Sequence, residues 1–157
     1  MINKGGRRKL ALIARQYLSK SISNFELEAG EPDAEGDSAI SQVFAHGFYN
    51  LYSDNENHYC VGKHALTQQE RKTVARWLLF LYAEQEYEWP VYNGNVLSRI
   101  VRVLTFSFPD FFKFGSEAFK KRGDFDVWPF LRRADYKRAL LNPPFFSGGK
   151  PQSPSSK

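Results

Sequence analysis

The stretch Thr67-Gln-Gln-Glu-Arg-Lys-Thr-Val-Ala-Arg-Trp-Leu-Leu-Phe-Leu-Tyr-Ala83 decides the fold class. Its first four residues are a capping box, in which the Thr67 hydroxyl accepts a backbone N–H and Glu70 reaches back to the start of the helix. From Trp77 to Leu81 the run is apolar on nearly every side, as expected of a helix enclosed by other elements. It predicts the central, most buried helix, ending near Ala83.

Upstream, Asp37 is a good N-cap for a helix over about 38–52, where Ile40, Val43, Phe44, Gly47, Phe48 and Leu51 keep the helical period. Ser23-Asn-Phe-Glu26 is a second capping box, opening a short helical turn that stops at Gly30 before Glu31-Pro-Asp33. A first helix is expected from about Gly6 to Ser19, with Leu10, Ile13, Ala14 and Tyr17 on one stripe. Residues 58–66 read as an extended linker.

Downstream, Pro90 biases Trp89 away from helical angles. Asn95 caps a helix to about Phe106, with Leu97, Ile100, Val101 and Leu104 inward. Phe108 to Phe114 is aromatic without a clear period. Ser116 to Arg122 is a short helix closed by Gly123, with its cations at the C-terminal end, where the helix dipole favours them. Trp128-Pro129 breaks the chain, and Ala134 to Leu141 forms the last helix. From Asn142 the Pro, Ser, Gly and Lys content predicts a disordered tail. The expected fold is all-α: one compact domain over 1–141, a bundle of five to seven helices with irregular aromatic-rich connections, then a tail over 142–157.

Among the 157 residues, 42% are hydrophobic and 16% aromatic, so the core should be built on rings. A chain of this length buries roughly 70% of its unfolded surface and needs no staple. The single cysteine, Cys60, excludes an internal disulfide framework and a Cys-rich zinc module. No apolar run approaches the ~20 residues of a membrane-spanning helix, and Arg15 cuts Leu10 to Ala14 too early for a secretory signal. A cytoplasmic protein with no membrane partner is expected. The net charge of +5 is uneven: residues 23–90 carry twelve acidic and four basic side chains, residues 91–157 five acidic and twelve basic.

The sequence offers three kinds of candidate chemistry. His58, Cys60 and His64 have metal-ligating side chains, but their spacing matches no established site and no fourth ligand is evident. Cys60 with a nearby histidine resembles a nucleophile with its base. No nucleophile elbow, HExxH or phosphate-cradling loop accompanies it. No catalytic residue, metal or cofactor is therefore assigned.

Arg7, Arg8 and Lys9, then Lys120, Lys121 and Arg122, then Arg132, Arg133, Lys137 and Arg138, are of the type that neutralises phosphates. Phe125, Trp128, Phe130 and Tyr136 would suit base stacking. Trp128 and Phe130, beside Pro129 in an otherwise apolar segment, read better as core. The third candidate is an acidic surface: Glu26, Glu28, Glu31, Asp33, Glu35 and Asp37 fall within twelve residues. Such a run suits a basic protein partner with fast, salt-sensitive association. Asp54 and Glu56 extend it.

Glu70-Arg71, Val74 to Leu81 and Glu86-Tyr-Glu-Trp-Pro90 resemble a family of small bacterial proteins without assigned enzymatic function. Gly123-Asp-Phe-Asp-Val-Trp-Pro-Phe130 with Asp135-Tyr136 is similar to the same family's second block, and Ala14-Arg-Gln-Tyr17 to its opening. The resemblance spans most of residues 7–141. It implies a stand-alone gene in a variable locus of the kind that holds toxin and immunity pairs, and transfers no catalytic residue. The expectation is a non-catalytic immunity protein that binds one cognate toxin domain and occludes its active site. The contacts would be Glu26, Glu28, Glu31, Asp33, Glu35, Asp37, Asp54 and Glu56. The alternative is a nucleic-acid-binding accessory protein using the basic C-terminal third. The number of copies in solution is left open.

Overall fold

A computed structural model describes residues 1–52, 55–91 and 122–143. The helix expected over 95–106, all but the last residue of the helix expected over 116–122, the Phe108–Phe114 segment and most of the tail after Asn142 lie outside the described residues.

Five α-helices and no strand occur among the described residues: α1 (Lys4–Leu18), α2 (Asn24–Ala29), α3 (Ser38–His46), α4 (Gln68–Tyr82) and α5 (Arg133–Leu141). The fold is all-α. Both capping boxes form: Ser23 Oγ accepts the Glu26 N–H while Glu26 accepts the Ser23 N–H, and Thr67 with Glu70 repeats the exchange. Each box satisfies two of the N–H groups that a helix start leaves without a partner.

α1 runs antiparallel to α4, because Arg7 near the start of α1 reaches the Gln85 carbonyl beyond the end of α4 (2.6 Å). Leu10, Ala11, Ala14 and Tyr17 form the buried stripe of α1, facing Val74, Leu79, Phe80 and Leu81 of α4 and Ala39, Ile40 and Val43 of α3 across one continuous core. α4 packs against α1, α3 and α5, as its apolar second half predicts.

The expected helix over 38–52 ends early. α3 stops at His46, and Phe48–Leu51 continues as a 3-10 turn. The break falls at Gly47, whose φ of −108° and ψ of −87° leave the helical region, and only glycine fits there: a Cβ would lie 2.5 Å from the Val43 carbonyl oxygen and 3.1 Å from the Trp77 ring of α4. The turn still delivers Phe48 to the core, edge-on to Trp77 at 5.5 Å. The apolar period therefore outlasts the α-helix. Residues 58–66, expected to be extended, contain a 3-10 turn at Gly62–His64.

The two Trp-Pro blocks pack against each other. The Trp89 indole N–H donates to the Phe130 carbonyl (3.1 Å), and that of Trp128 to the Tyr87 hydroxyl (3.2 Å). Arg76 Nε donates to the Trp128 carbonyl (2.8 Å), tying the second block to α4. Trp89, Trp128 and Phe130 are all buried. Burial of these rings supplies most of the local stabilisation, and the indole bonds fix which way each ring faces. Asp124 caps the 3-10 turn Phe125–Val127 by accepting the Asp126 N–H.

Candidate functional site

The acidic segment is held at both ends. At its start the capping box fixes α2, and Leu27 is completely buried. Asn24 joins α2 to the 56–58 segment through three hydrogen bonds: its N–H to the His58 carbonyl (3.0 Å), its side-chain oxygen to the His58 N–H (2.8 Å), and its side-chain amide to the Glu56 carbonyl (3.1 Å). At its end, Asp37 accepts Arg7 Nε (2.6 Å), Arg7 Nη2 (2.9 Å), the Asn3 N–H (2.9 Å) and the Ala39 N–H (3.1 Å).

Between these anchors, Pro32 is buried while Glu28, Glu31, Asp33 and Glu35 are exposed. Asp33 accepts the Glu35 N–H (3.0 Å) in a local turn. Glu35 and Gly36 follow with positive φ, 41° and 82°. Gly36 adopts that conformation freely, and Glu35 is steadied there by Asn3, whose side-chain amide donates to its carboxylate (3.2 Å). Glu28, Asp33 and Glu35 have no cation partner among the described residues. The structure thus brings four carboxylates to the surface of one braced segment.

Other residues expected at this surface are placed differently. Asp37 is 2% exposed and its oxygens are taken by Arg7 and backbone N–H groups, so it is an internal anchor rather than a partner contact. Burial opposes its ionisation. The Arg7 hydrogen bonds and charge and the backbone N–H groups outweigh that, and its carboxyl is held below the usual carboxylate range. Glu26 is exposed but committed to its capping box. Glu56 pairs with Lys63 Nζ (2.6 Å) and His64 Nε2 (3.1 Å) and lies beyond the Asn24 junction. Asp54 lies outside the described residues.

The basic candidates are largely committed. Arg7 is completely buried, which removes it from any phosphate-binding surface. Arg8 faces Glu84 (3.4 Å), Arg132 faces Glu88 (3.8 Å), and Arg138 faces Asp135 (3.3 Å). Arg133 joins Asp124 (2.7 Å) and Asp126 (3.2 Å). Lys9, Arg122 and Lys137 are exposed. Lys120 and Lys121 lie outside the described residues. Trp128 and Phe130 face the core instead of offering a stacking platform, while Phe125 and Tyr136 are half-buried against the same cluster.

His58 and His64 are stacked, with ring centroids 3.6 Å apart and planes 9° from parallel. Cys60, in the linker between them, is free and buried. Among the described residues no group of three or more His, Cys, Asp or Glu side chains converges as a metal site requires. No helix among them is long and apolar enough to cross a membrane.

Sequence reasoning grouped Arg7 with the surface cations and missed its buried role. The signal was its register: three residues before Leu10, seven before Ala14 and ten before Tyr17, it falls on the apolar stripe of α1. A charge on such a stripe requires a buried counter-charge. Compared with protein-family models, curated proteins and solved structures, the chain matches none.

Proposed function

We propose that this protein is a non-catalytic binding protein, an immunity protein that neutralises a bacterial toxin by laying an acidic segment over its basic active cleft. The observation that carries the reading is the surface array of Glu28, Glu31, Asp33 and Glu35 on a segment anchored by α2 and by the Arg7–Asp37 pair. A braced array loses little conformational freedom on binding, and carboxylates of one sign steer a basic partner into place.

The test is affinity capture from a nuclease-treated lysate of the host, read by mass spectrometry, followed by co-expression of the captured polypeptide with and without this protein. A stoichiometric partner that is toxic alone and harmless in co-expression is expected. A partner whose toxicity is unaffected, or capture lost entirely on nuclease treatment, would overturn the proposal.

A further inference from the structure

The C-terminal end of α1, α4 from Arg71 to Leu78 and the linker that carries Cys60 and Leu66 line a half-open hollow of about 220 Å³. Its walls are apolar: Leu18 from α1, Leu66 from the linker, and Val74, Ala75 and Leu78 from α4. One ionised side chain completes them. Arg71, an exposed residue at the rim, donates its Nε to the Leu66 carbonyl (3.2 Å), the guanidinium's sole hydrogen bond among the described residues. The carboxylate next to it in sequence, Glu70, is engaged by the Thr67 N–H and hydroxyl and does not neutralise it.

From this arrangement we propose that the cavity binds a small apolar monocarboxylate, its chain among the leucines and its carboxylate on Arg71. The volume sets the size. An apolar cavity of about 150 Å³ holds benzene, so this one takes a chain of about six to eight carbons. The guanidinium sets the head group, because its planar fork presents paired N–H donors that match a carboxylate. The Cys60 thiol forms part of the wall and reports on occupancy.

Hexanoate is the first probe, with hexanol and hexylamine as controls of matching length. Calorimetric titration of the full chain is expected to give hexanoate a Kd on the order of 1 mM, as befits a ligand of so few atoms. Hexanol should bind about tenfold more weakly and hexylamine not detectably. Arg71→Gln should reduce hexanoate affinity about tenfold and leave hexanol unchanged. Ala75→Trp, at an exposed position on the rim, should remove binding of both, and hexanoate should slow alkylation of Cys60. Equal affinity for hexanoate and hexanol, indifference to Arg71→Gln, or binding that survives Ala75→Trp would each overturn the proposal, as would the absence of binding by a folded wild-type protein.

Discussion

Arg7 and Asp37 form a buried ion pair across 30 residues of sequence, with Arg7 Nε and Nη2 on the two oxygens of one carboxylate at 2.6 and 2.9 Å. The pair does three tasks at once. It neutralises a guanidinium inside the core, docks the start of α3 onto α1, and closes the acidic segment at its C-terminal end. Arg7 Nη1 continues to the Gln85 carbonyl, so the exit of α4 is tied to the same point. The guanidinium also lies 5.3 Å above the Phe80 ring, where the face of the ring favours a cation.

Breaking this pair from either side should be costly. Asp37→Asn leaves a buried guanidinium without a counter-charge, and Arg7→Met leaves a buried carboxylate. Each is expected to cost about 3–5 kcal/mol. The double variant should cost less than the two single changes together, because it strands neither charge. Urea denaturation of the four proteins measures this. Additive losses would show that the two side chains are energetically independent despite their contact.

The same pair sets the acid limb of the stability curve. Asp37 ionises below the ordinary carboxylate range in the folded chain, so its contribution is fully present above the unfolded value of about 3.9. It is lost as pH falls through the lower folded-state value. The more exposed carboxylates Glu26, Glu56, Glu84 and Asp124 are shifted in the same direction, by the Ser23 backbone and hydroxyl, Lys63, Lys4 and Arg133 respectively. Solvent screens those four more than Asp37. Thermal unfolding between pH 2 and 6 should therefore show a shallower acid-side fall in Asp37→Asn than in the wild type. Parallel curves would contradict this assignment.

Helices with strong local signals were legible in the sequence, because capping boxes and apolar stripes act over four residues. Ser23–Glu26, Thr67–Glu70 and Asp37 all begin helices where their side chains say they should. The features that sequence periodicity missed depend on neighbours far along the chain. Asp37 reads as a surface acid until Arg7 is placed beside it. The helix through Phe48 reads as unbroken until Trp77 is placed against Gly47. The acidic site was legible in composition, but which of its members reach solvent was decided by Pro32, Asn3 and Arg7.

Gly47 supplies the next prediction. Gly47→Ala puts a methyl group 2.5 Å from the Val43 carbonyl and 3.1 Å from Trp77, and neither neighbour is the free end of a flexible side chain. The backbone must shift at the junction of α3 and the Phe48 turn, disturbing the Phe48–Trp77 contact. A loss of about 2 kcal/mol is expected. Chemical denaturation checks it, with Trp fluorescence reporting the movement of Trp77. An unchanged midpoint would mean that α3 can end elsewhere.

Tyr17 predicts a gain. Its ring is 1% exposed and packs against Tyr52 and His58, yet its hydroxyl has no hydrogen-bond partner among the described residues. Burial and the neighbouring Cys60 push its ionisation up to about 12, so the group is a neutral, desolvated hydroxyl. Tyr17→Phe removes that hydroxyl without emptying the site. It should stabilise the fold by about 1 kcal/mol, the penalty of a buried polar group left unsatisfied. A destabilised variant would point to a buried water bonded to the hydroxyl.

The acidic segment should separate binding from folding. Glu28, Glu31, Asp33 and Glu35 are exposed, and their side chains fill no part of the core. Replacing them by Gln, Gln, Asn and Gln keeps their shape and the local turn at Asp33. Stability should change by no more than about 0.5 kcal/mol per site. Binding to the toxin proposed as its partner should behave differently. Carboxylates on a rim act mainly through association rate, so the quadruple variant should associate about 10- to 100-fold more slowly at low salt and lose most of its salt dependence. Asp37→Asn is the informative contrast, because it disturbs the anchor of the segment while leaving its four surface charges in place. Where that variant remains folded, it should retain the wild-type salt slope but dissociate faster. Surface plasmon resonance over a range of ionic strengths resolves both rates, and a quadruple variant with wild-type association and salt slope would remove this segment from the interface.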